Sequence, residues 1–173
     1  MGSGIQKAII RGTLASGTLD ILSAFIFGGL AGVGPAKILR FVASGPFGDG
    51  VREGGGGAAA LGLIVHFALM SIMVTVFVLA ATRIASLRRY WPIAGIAYGI
   101  AIYLVMYWIV TPARFGEYPS TSLWSVGKAL FSHIFCVGLP MAWITSRALA
   151  SSPIDHAGDT QTTSENLSAS STG

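Results

Sequence analysis

The stretch at residues 58–81, AAALGLIVHFALMSIMVTVFVLAA, decides the fold class because its 24 residues include no Asp, Glu, Lys or Arg. As an α-helix it would rise about 36 Å, which exceeds the roughly 30 Å thickness of a bilayer's hydrocarbon core. A surface helix of a soluble protein shows a charged face to water, and this stretch has none. It therefore predicts a transmembrane helix.

Three further apolar segments of similar length predict three more transmembrane helices, at residues 12–33, 91–110 and 123–144. Pro35 follows the first of them, Pro92 opens the second and Pro112 follows it, which are positions where helices accept proline. The four tryptophans lie near segment ends, as expected of side chains that favour membrane interfaces: Trp91, Trp108, Trp124 and Trp143. We expect an all-α integral membrane four-helix bundle over residues 12–147.

The composition excludes several classes of protein. Only 10% of the 173 residues are charged, whereas soluble domains average about 25%. The eleven Lys and Arg lie scattered between the apolar segments, so we expect contact with membrane lipid and no nucleic acid partner. A single cysteine, Cys136, excludes an internal disulfide and zinc sites built from paired cysteines, and no metal site is expected.

The remaining sequence predicts termini and one long loop. Residues 1–11 predict a cytoplasmic N-terminus, and residues 148–173, rich in Ser and Thr, predict a disordered C-terminal tail. In the first loop, residues 35–42 predict a short interfacial helix and residues 44–50 a turn. With both termini in the cytoplasm of a cell with an inner membrane, the inner loop would carry three arginines: Arg83, Arg88 and Arg89.

Two ridges of small residues predict where the helices meet, because helices in lipid associate where their backbones can approach closely. On the first segment the ridge recurs at every fourth position, through Gly12, Ser16, Asp20, Ala24 and Gly28. On the third segment it runs through Gly95, Gly99, Tyr103 and Tyr107. We expect these two faces to form the closest contacts, and Pro140 to kink the fourth helix near Cys136.

Three ionisable side chains lie inside the apolar segments, namely Asp20, His66 and His133. An unpaired Asp near a helix centre costs about 2.5–3.5 kcal/mol, so it needs a partner, a proton or a water-filled cavity. At 1.5 Å per residue, Asp20 and His66 lie about 12 Å from the start of their segments and His133 about 15 Å. All three are therefore expected at nearly one level in the bilayer.

This coincidence of depth leaves several hypotheses open. The first is a structural or interacting membrane protein, alone, as a homo-oligomer or with a membrane protein partner, in which Asp20 accepts hydrogen bonds from one or both imidazoles. The second is a carrier or binding protein for a small solute or a proton. The third is a redox protein with haem held by His66 and His133, or with a divalent metal. Tyr103 would lie near the cluster.

Cys136 follows His133 by three residues, which places both on one face of an α-helix. A Cys–His nucleophile pair has this spacing, and so does ordinary packing of a buried cysteine. No phosphate-binding loop, serine-hydrolase elbow or zinc-protease motif is present. We therefore expect no enzymatic activity.

Several short stretches together resemble a group of small bacterial membrane proteins with four predicted spans: GTLASGTLD at 12–20, LRFVASG at 39–45, LIVHF at 63–67, YG at 98–99 and YLVM at 103–106. The resemblance covers roughly residues 12–147. It implies a location in the inner membrane and implies no reaction, cofactor or ligand. Asp20, Arg40 and His66 stand at matching places in these stretches.

Overall fold

The computed structural model describes residues 2–150, and every regular element in that part of the chain is helical. Four long helices are α1 (Ser3–Leu30), α3 (Gly56–Arg83), α4 (Trp91–Phe115) and α5 (Leu123–Ala150), and α2 (Pro35–Phe47) lies between the first two. Single helical turns occur at Asp49–Glu53 and Ala85–Arg89. Each of the four long helices is long and apolar enough to cross a membrane.

The long helices extend beyond the apolar segments that predicted them. α1 begins at Ser3 rather than at residue 12, because Ala8 is fully buried in the core and Ile5 and Ile9 pack against that core. It ends at Leu30 rather than at residue 33, since Gly32 adopts a left-handed backbone with φ of 74°. Charged residues therefore marked the edge of the apolar segment and not the end of the helix.

The ends of the other long helices also differ from the sequence prediction. α3 spans Gly56–Arg83 rather than 58–81, and α5 continues from the predicted end at residue 144 to Ala150. The first three residues of the predicted disordered tail, 148–150, are thus helical, while residues 151–173 lie outside the described residues. α4 passes Pro112 and ends at Phe115.

A wide π-helical segment precedes a proline in both α4 and α5. Val105–Val110 precedes Pro112, and Ser132–Gly138 precedes Pro140. The wider turn accommodates a residue that lacks an N–H group and whose ring would clash with the preceding turn. In α4 the Thr111 hydroxyl also donates to the Met106 carbonyl oxygen at 2.8 Å. Pro112 therefore does not end the helix, contrary to the sequence prediction.

The two small-residue ridges both pack against α5 rather than against each other. On α1, the Ser16 hydroxyl donates to the Val137 carbonyl oxygen of α5 at 3.2 Å, and Gly12 faces Val74 of α3. On α4, Gly95 and Gly99 lie against the backbone of α5. α1 and α4 are thus both neighbours of α5, which explains why each carries a ridge.

α2 is part of the bundle and longer than the predicted interfacial helix. It includes Pro46, so the predicted turn at residues 44–50 begins only at Gly48, whose φ is 85°. The Leu39 carbonyl of α2 lies directly against Gly62 of α3, where a side chain of any size would collide. We call this end of the bundle, where α1 ends and α5 begins, the α2 end.

The closely packed core lies towards the opposite end. Its buried members come from the first half of α1, the second halves of α3 and α5, and the middle of α4: Ala8, Met70, Val74, Phe77, Val78, Ala81, Ile102, Val137, Met141 and Ala142. Three of these residues, Met70, Ile102 and Val137, also line a cavity to which Phe41 of α2 contributes.

Candidate functional site

The three ionisable residues lie at one level of the bundle. Asp20 is ten residues before the end of α1, His66 is ten residues after the start of α3, and His133 is ten residues after the start of α5. At 1.5 Å per residue, each lies about 15 Å from the α2 end. Helix ends were displaced relative to the sequence prediction, yet the three residues remain matched in depth.

Asp20, His66 and His133 all line one cavity of about 330 Å³, which we call cavity 1. Tyr107 and Thr111 of α4 are its other polar residues. The rest of the lining is apolar and includes three methionines and a phenylalanine from α2: Phe41, Met70, Met73 and Met106. The cavity therefore has a polar wall and an apolar body.

Both imidazoles form hydrogen bonds with backbone carbonyls. His66 Nε2 lies 2.9 Å from the Gly17 carbonyl oxygen of α1, and His133 Nδ1 lies 2.8 Å from the Ala129 carbonyl oxygen of its own helix. Because a carbonyl only accepts, each of these nitrogens carries a hydrogen and donates. Each ring keeps one further nitrogen for a water or a ligand.

The Asp20 carboxylate lacks the partners that the structural hypothesis predicted. Among residues 2–150, no hydrogen bond or ion pair joins it to His66 or to His133. Each imidazole N–H group instead donates a hydrogen bond to a backbone carbonyl oxygen. The structure thus brings the three side chains to one cavity without joining them to each other.

Two tyrosines surround His133. The ring of Tyr107 lies 5.8 Å from the imidazole and that of Tyr103 lies 6.2 Å from it, both edge-on, and the two tyrosine rings are 5.1 Å apart. Tyr107 lines cavity 1, whereas Tyr103 is buried behind it. These contacts fix the orientation of the imidazole towards the cavity wall.

A second cavity of about 370 Å³, cavity 2, shares Asp20, Tyr107 and His133 with the first. Ser23 and Ser132 also line it. The Ser23 hydroxyl lies 2.8 Å from the Asp20 carbonyl oxygen, to which it donates, and 2.8 Å from the Ser132 hydroxyl. The polar wall around Asp20 therefore separates two cavities.

Of the secondary candidates, Tyr107 lines both cavities, whereas Tyr103, Cys136 and Arg40 line neither. Cys136 is a free, half-buried thiol on the same π-helical segment as His133, and it interacts with Ser23 and Asp20. Arg40 is half-buried on α2, and its Nε has no hydrogen-bond partner in the described part of the chain.

Sequence reasoning missed Gly17, which allows α3 to approach α1 near the site. A Cβ on Gly17 would lie 2.6 Å from the ring of Phe67, next to His66. The glycine stands in the quoted stretch GTLASGTLD, but it lies off the ridge of every fourth residue, and spacing alone therefore did not mark it. The lining methionines were missed because apolar residues occur on every face of these helices.

Metal-binding geometry is not found in the described region. Within residues 2–150, no group of three or more His, Cys, Asp or Glu side chains could hold a metal ion. The structure therefore adds no observation in favour of the haem or divalent-metal hypotheses.

Comparisons of the chain with protein-family models, curated proteins and solved structures found no match. The fold and the site define the class as an α-helical bundle with four helices suited to a membrane and a cavity lined by a carboxylate that forms no salt bridge within residues 2–150.

Proposed function

We propose that the protein is a multi-pass membrane protein that binds a small organic cation with an apolar body in cavity 1, with Asp20 as the counter-ion. The observation that carries the proposal is that the Asp20 carboxylate lines a cavity and that, among residues 2–150, it forms no salt bridge. A carboxylate at this depth is stabilised by a positive charge. The sequence alone favours a structural role for Asp20, whereas the presence of cavity 1 favours ligand binding.

The shape and chemistry of cavity 1 support this choice of ligand. Its volume of about 330 Å³ falls at the lower end of the range for small-molecule sites, which are mostly apolar with a few polar groups. Tyr107 contributes an aromatic ring to the lining, and aromatic rings attract cations. A compact ammonium group carrying one apolar substituent fits both parts of the lining.

The packing on the side of cavity 1 away from α2 favours a binding site over a continuous pore. The Tyr98 hydroxyl donates to the Met73 carbonyl oxygen at 2.8 Å, and the rings of Tyr98 and Phe77 are 5.1 Å apart. Met73 lines the cavity, and Phe77 belongs to the closely packed core. A carrier cycle would require this half of the bundle to open.

A bilayer suits the outer surface of the bundle, and we infer the inner membrane of a cell, with both termini cytoplasmic. Large apolar side chains point outwards along the long helices; Ile26 is 64% exposed and Ile93 is 69% exposed. The loop between α3 and α4 carries Arg83, Arg88 and Arg89, and arginine-rich short loops favour the cytoplasm. The α2 end then faces outwards from the cytoplasm.

The test uses benzyltrimethylammonium and its uncharged isostere neopentylbenzene, with the full-length protein in detergent and binding measured by calorimetry. We expect saturable binding of the cation, no comparable binding of the isostere, and a dissociation constant raised at least about tenfold in Asp20→Asn, equivalent to about 1.4 kcal/mol. Glu53→Gln removes one negative charge at an exposed site away from cavity 1 and should bind like the wild type. Equal binding of cation and isostere would sink the proposal.

Thermal unfolding separates this proposal from the structural hypothesis. If Asp20 serves the ligand, Asp20→Leu should lose binding but keep the melting temperature of the ligand-free protein. The structural hypothesis, in which Asp20 belongs to a hydrogen-bonded cluster, predicts instead that the melting temperature of Asp20→Leu is clearly lower than that of Asp20→Asn.

A further inference from the structure

Asp20, Tyr107 and His133 are the wall between two cavities of different chemistry. Cavity 1 is lined mainly by apolar side chains from α2, α3 and α4. Cavity 2 is bounded by the last turns of α1 and the first turns of α5, and it includes two serines and Lys128. One carboxylate therefore lines both an apolar ligand site and a second cavity that contains two serines and a lysine.

We propose that cavity 2 is a water-filled route through which Asp20 exchanges a proton with the solution at the α2 end, so that a proton and the organic cation compete for one carboxylate. This inference rests on the proposed function. Cavity 2 measures about 370 Å³, and a water molecule occupies about 30 Å³ of liquid, so several waters fit. Two of its lining residues, Gly28 in the last turn of α1 and Ala31 just after it, lie at the α2 end.

Cavity 2 offers hydrogen bonds beside Asp20. Ser23 and Ser132 lie 2.8 Å apart next to Asp20, and each hydroxyl can both donate and accept. Such groups anchor ordered water, and chains of hydrogen bonds carry protons. Most of the other residues in this wall are small or apolar, so the serines mark the path to Asp20.

Lys128 also lines cavity 2, whereas the described lining of cavity 1 holds no Lys or Arg. Its positive charge repels an organic cation that approaches from this side. The same charge opposes a hydrated proton, so the difference between the two competitors lies in size: a proton can move along waters and hydroxyls, whereas an organic cation has to fit beside Lys128. We infer that the two competitors reach Asp20 through different cavities.

The exchange is balanced in atoms and charge. The protonated carboxyl group of Asp20 loses its proton to water in cavity 2 as the cation binds in cavity 1, and the resulting carboxylate pairs with the cation. No bond other than O–H breaks, and nothing is oxidised or reduced. One proton leaves for each cation bound.

Other titratable groups face Asp20, and some of them are alternative acceptors for its proton. His66 approaches from α3, Tyr107 from α4, and His133 and Cys136 from α5, while α2 contributes only apolar side chains to the two cavities. Either imidazole has one ring nitrogen free of its backbone carbonyl and could retain the displaced proton. Retention would leave no proton in solution, which makes proton release the decisive measurement.

The experiment mixes the full-length protein with benzyltrimethylammonium, which has no acidic proton, in weakly buffered detergent solution containing a pH indicator. We expect about one proton released per cation bound, and a dissociation constant that rises up to about tenfold for each unit of lower pH. Binding that is independent of pH and releases no proton would overturn the inference and leave the proposed function intact. If the probe does not bind at any pH, both proposals fall.

A second set of variants tests the route itself. Ala24 lines cavity 2, so Ala24→Leu should slow proton release after rapid mixing at least about tenfold, while the dissociation constant at high pH stays within about twofold. Ala68→Leu makes the same change on the exposed face of α3 and should release protons at the wild-type rate. Ser132→Ala keeps the space but removes a hydroxyl, and it should show a smaller slowing. Wild-type rates in both Ala24→Leu and Ser132→Ala would refute cavity 2 as the route.

Discussion

Gly99 sets the distance between α4 and α5 at the level of the site. A Cβ on this residue would lie 2.5 Å from the His133 carbonyl oxygen and 2.9 Å from the Ile134 Cα, both backbone atoms of α5. Neither atom can move without displacing the helix that carries His133. The absence of a side chain at Gly99 therefore allows α5, and with it His133, to take its position beside α4.

Gly99→Ala should lower the free energy of unfolding by about 1–3 kcal/mol, because the added methyl group overpacks the contact between α4 and α5. Gly127→Ala is the matched control: no described atom lies within 4 Å of the new methyl group on this helical residue. It should be neutral, or more stable by up to about 1 kcal/mol. Unfolding in detergent, followed by circular dichroism, measures both changes, and equal melting temperatures would contradict the prediction.

The depth of Asp20, His66 and His133 could be predicted from the sequence, because depth depends only on the rise per residue from a helix end. Their hydrogen bonds could not, since these depend on how each helix is rotated about its axis. The bond between His66 and the Gly17 carbonyl is one example, made where Gly17 allows α3 to approach. Rotation is set by contacts between distant segments, which spacing within one segment does not reveal.

Among the elements, α2 is held over cavity 1 by its packing on α3 and by hydrogen bonds from the end of α4. The Arg114 guanidinium donates to the carbonyl oxygens of Ser44 and Gly45, both at 2.6 Å. Next to it, the ring of Phe41 stacks on that of Phe115 with centroids 4.8 Å apart. Phe41 also lines cavity 1, so the same contacts that fix α2 close the cavity on this side.

Arg114→Ala should loosen α2 and expose cavity 1 to solution. In a Cys136→Ser background carrying Met106→Cys on the cavity wall, we expect a water-soluble thiol reagent to react several times faster once Arg114 is replaced. The reason is the loss of two charge-assisted hydrogen bonds to α2. Arg83→Ala, in the last turn of α3 at the other end, should leave the rate unchanged. No difference between the two variants would show that Arg114 does not hold the cavity closed.

The elements themselves were predicted with mixed success, for identifiable reasons. Four long apolar segments gave four long helices because length and hydropathy are local properties. Pro112 was wrongly taken as a helix end, since a π-helical turn allows α4 to continue past it. The length of α2 was also underestimated, because Ser44, Gly45 and Pro46 are typical of turns, and contacts with Arg114 and α3 keep them helical.

Across the whole molecule, fully buried core residues differ from cavity-lining residues in how completely they are packed. Met141 and Val74 are fully buried in the core. Met106 lines cavity 1. We therefore expect the fully buried core residues to contribute more to stability than residues that only line the cavity.

Met141→Ala should therefore lower the free energy of unfolding by about 2–5 kcal/mol, as expected for a large side chain removed from a filled core. Met106→Ala should cost less than about 2 kcal/mol, since part of its surface already faces empty space. Thermal unfolding of the two variants in the same detergent compares them directly. A larger loss of unfolding free energy for Met106→Ala than for Met141→Ala would contradict this difference between core and cavity-lining residues.

The shared ten-residue offset of Asp20, His66 and His133 from their helix ends has a consequence for the surrounding lipid. A bilayer of different acyl-chain length would shift the head groups past all three residues by the same amount, because the helices adapt to thickness chiefly through tilt and local lipid deformation. The spacing among the three side chains would stay constant while their distance from the water changed. Ligand selectivity should then be the same in short-chain and long-chain lipids, whereas the speed of ligand exchange should follow membrane thickness.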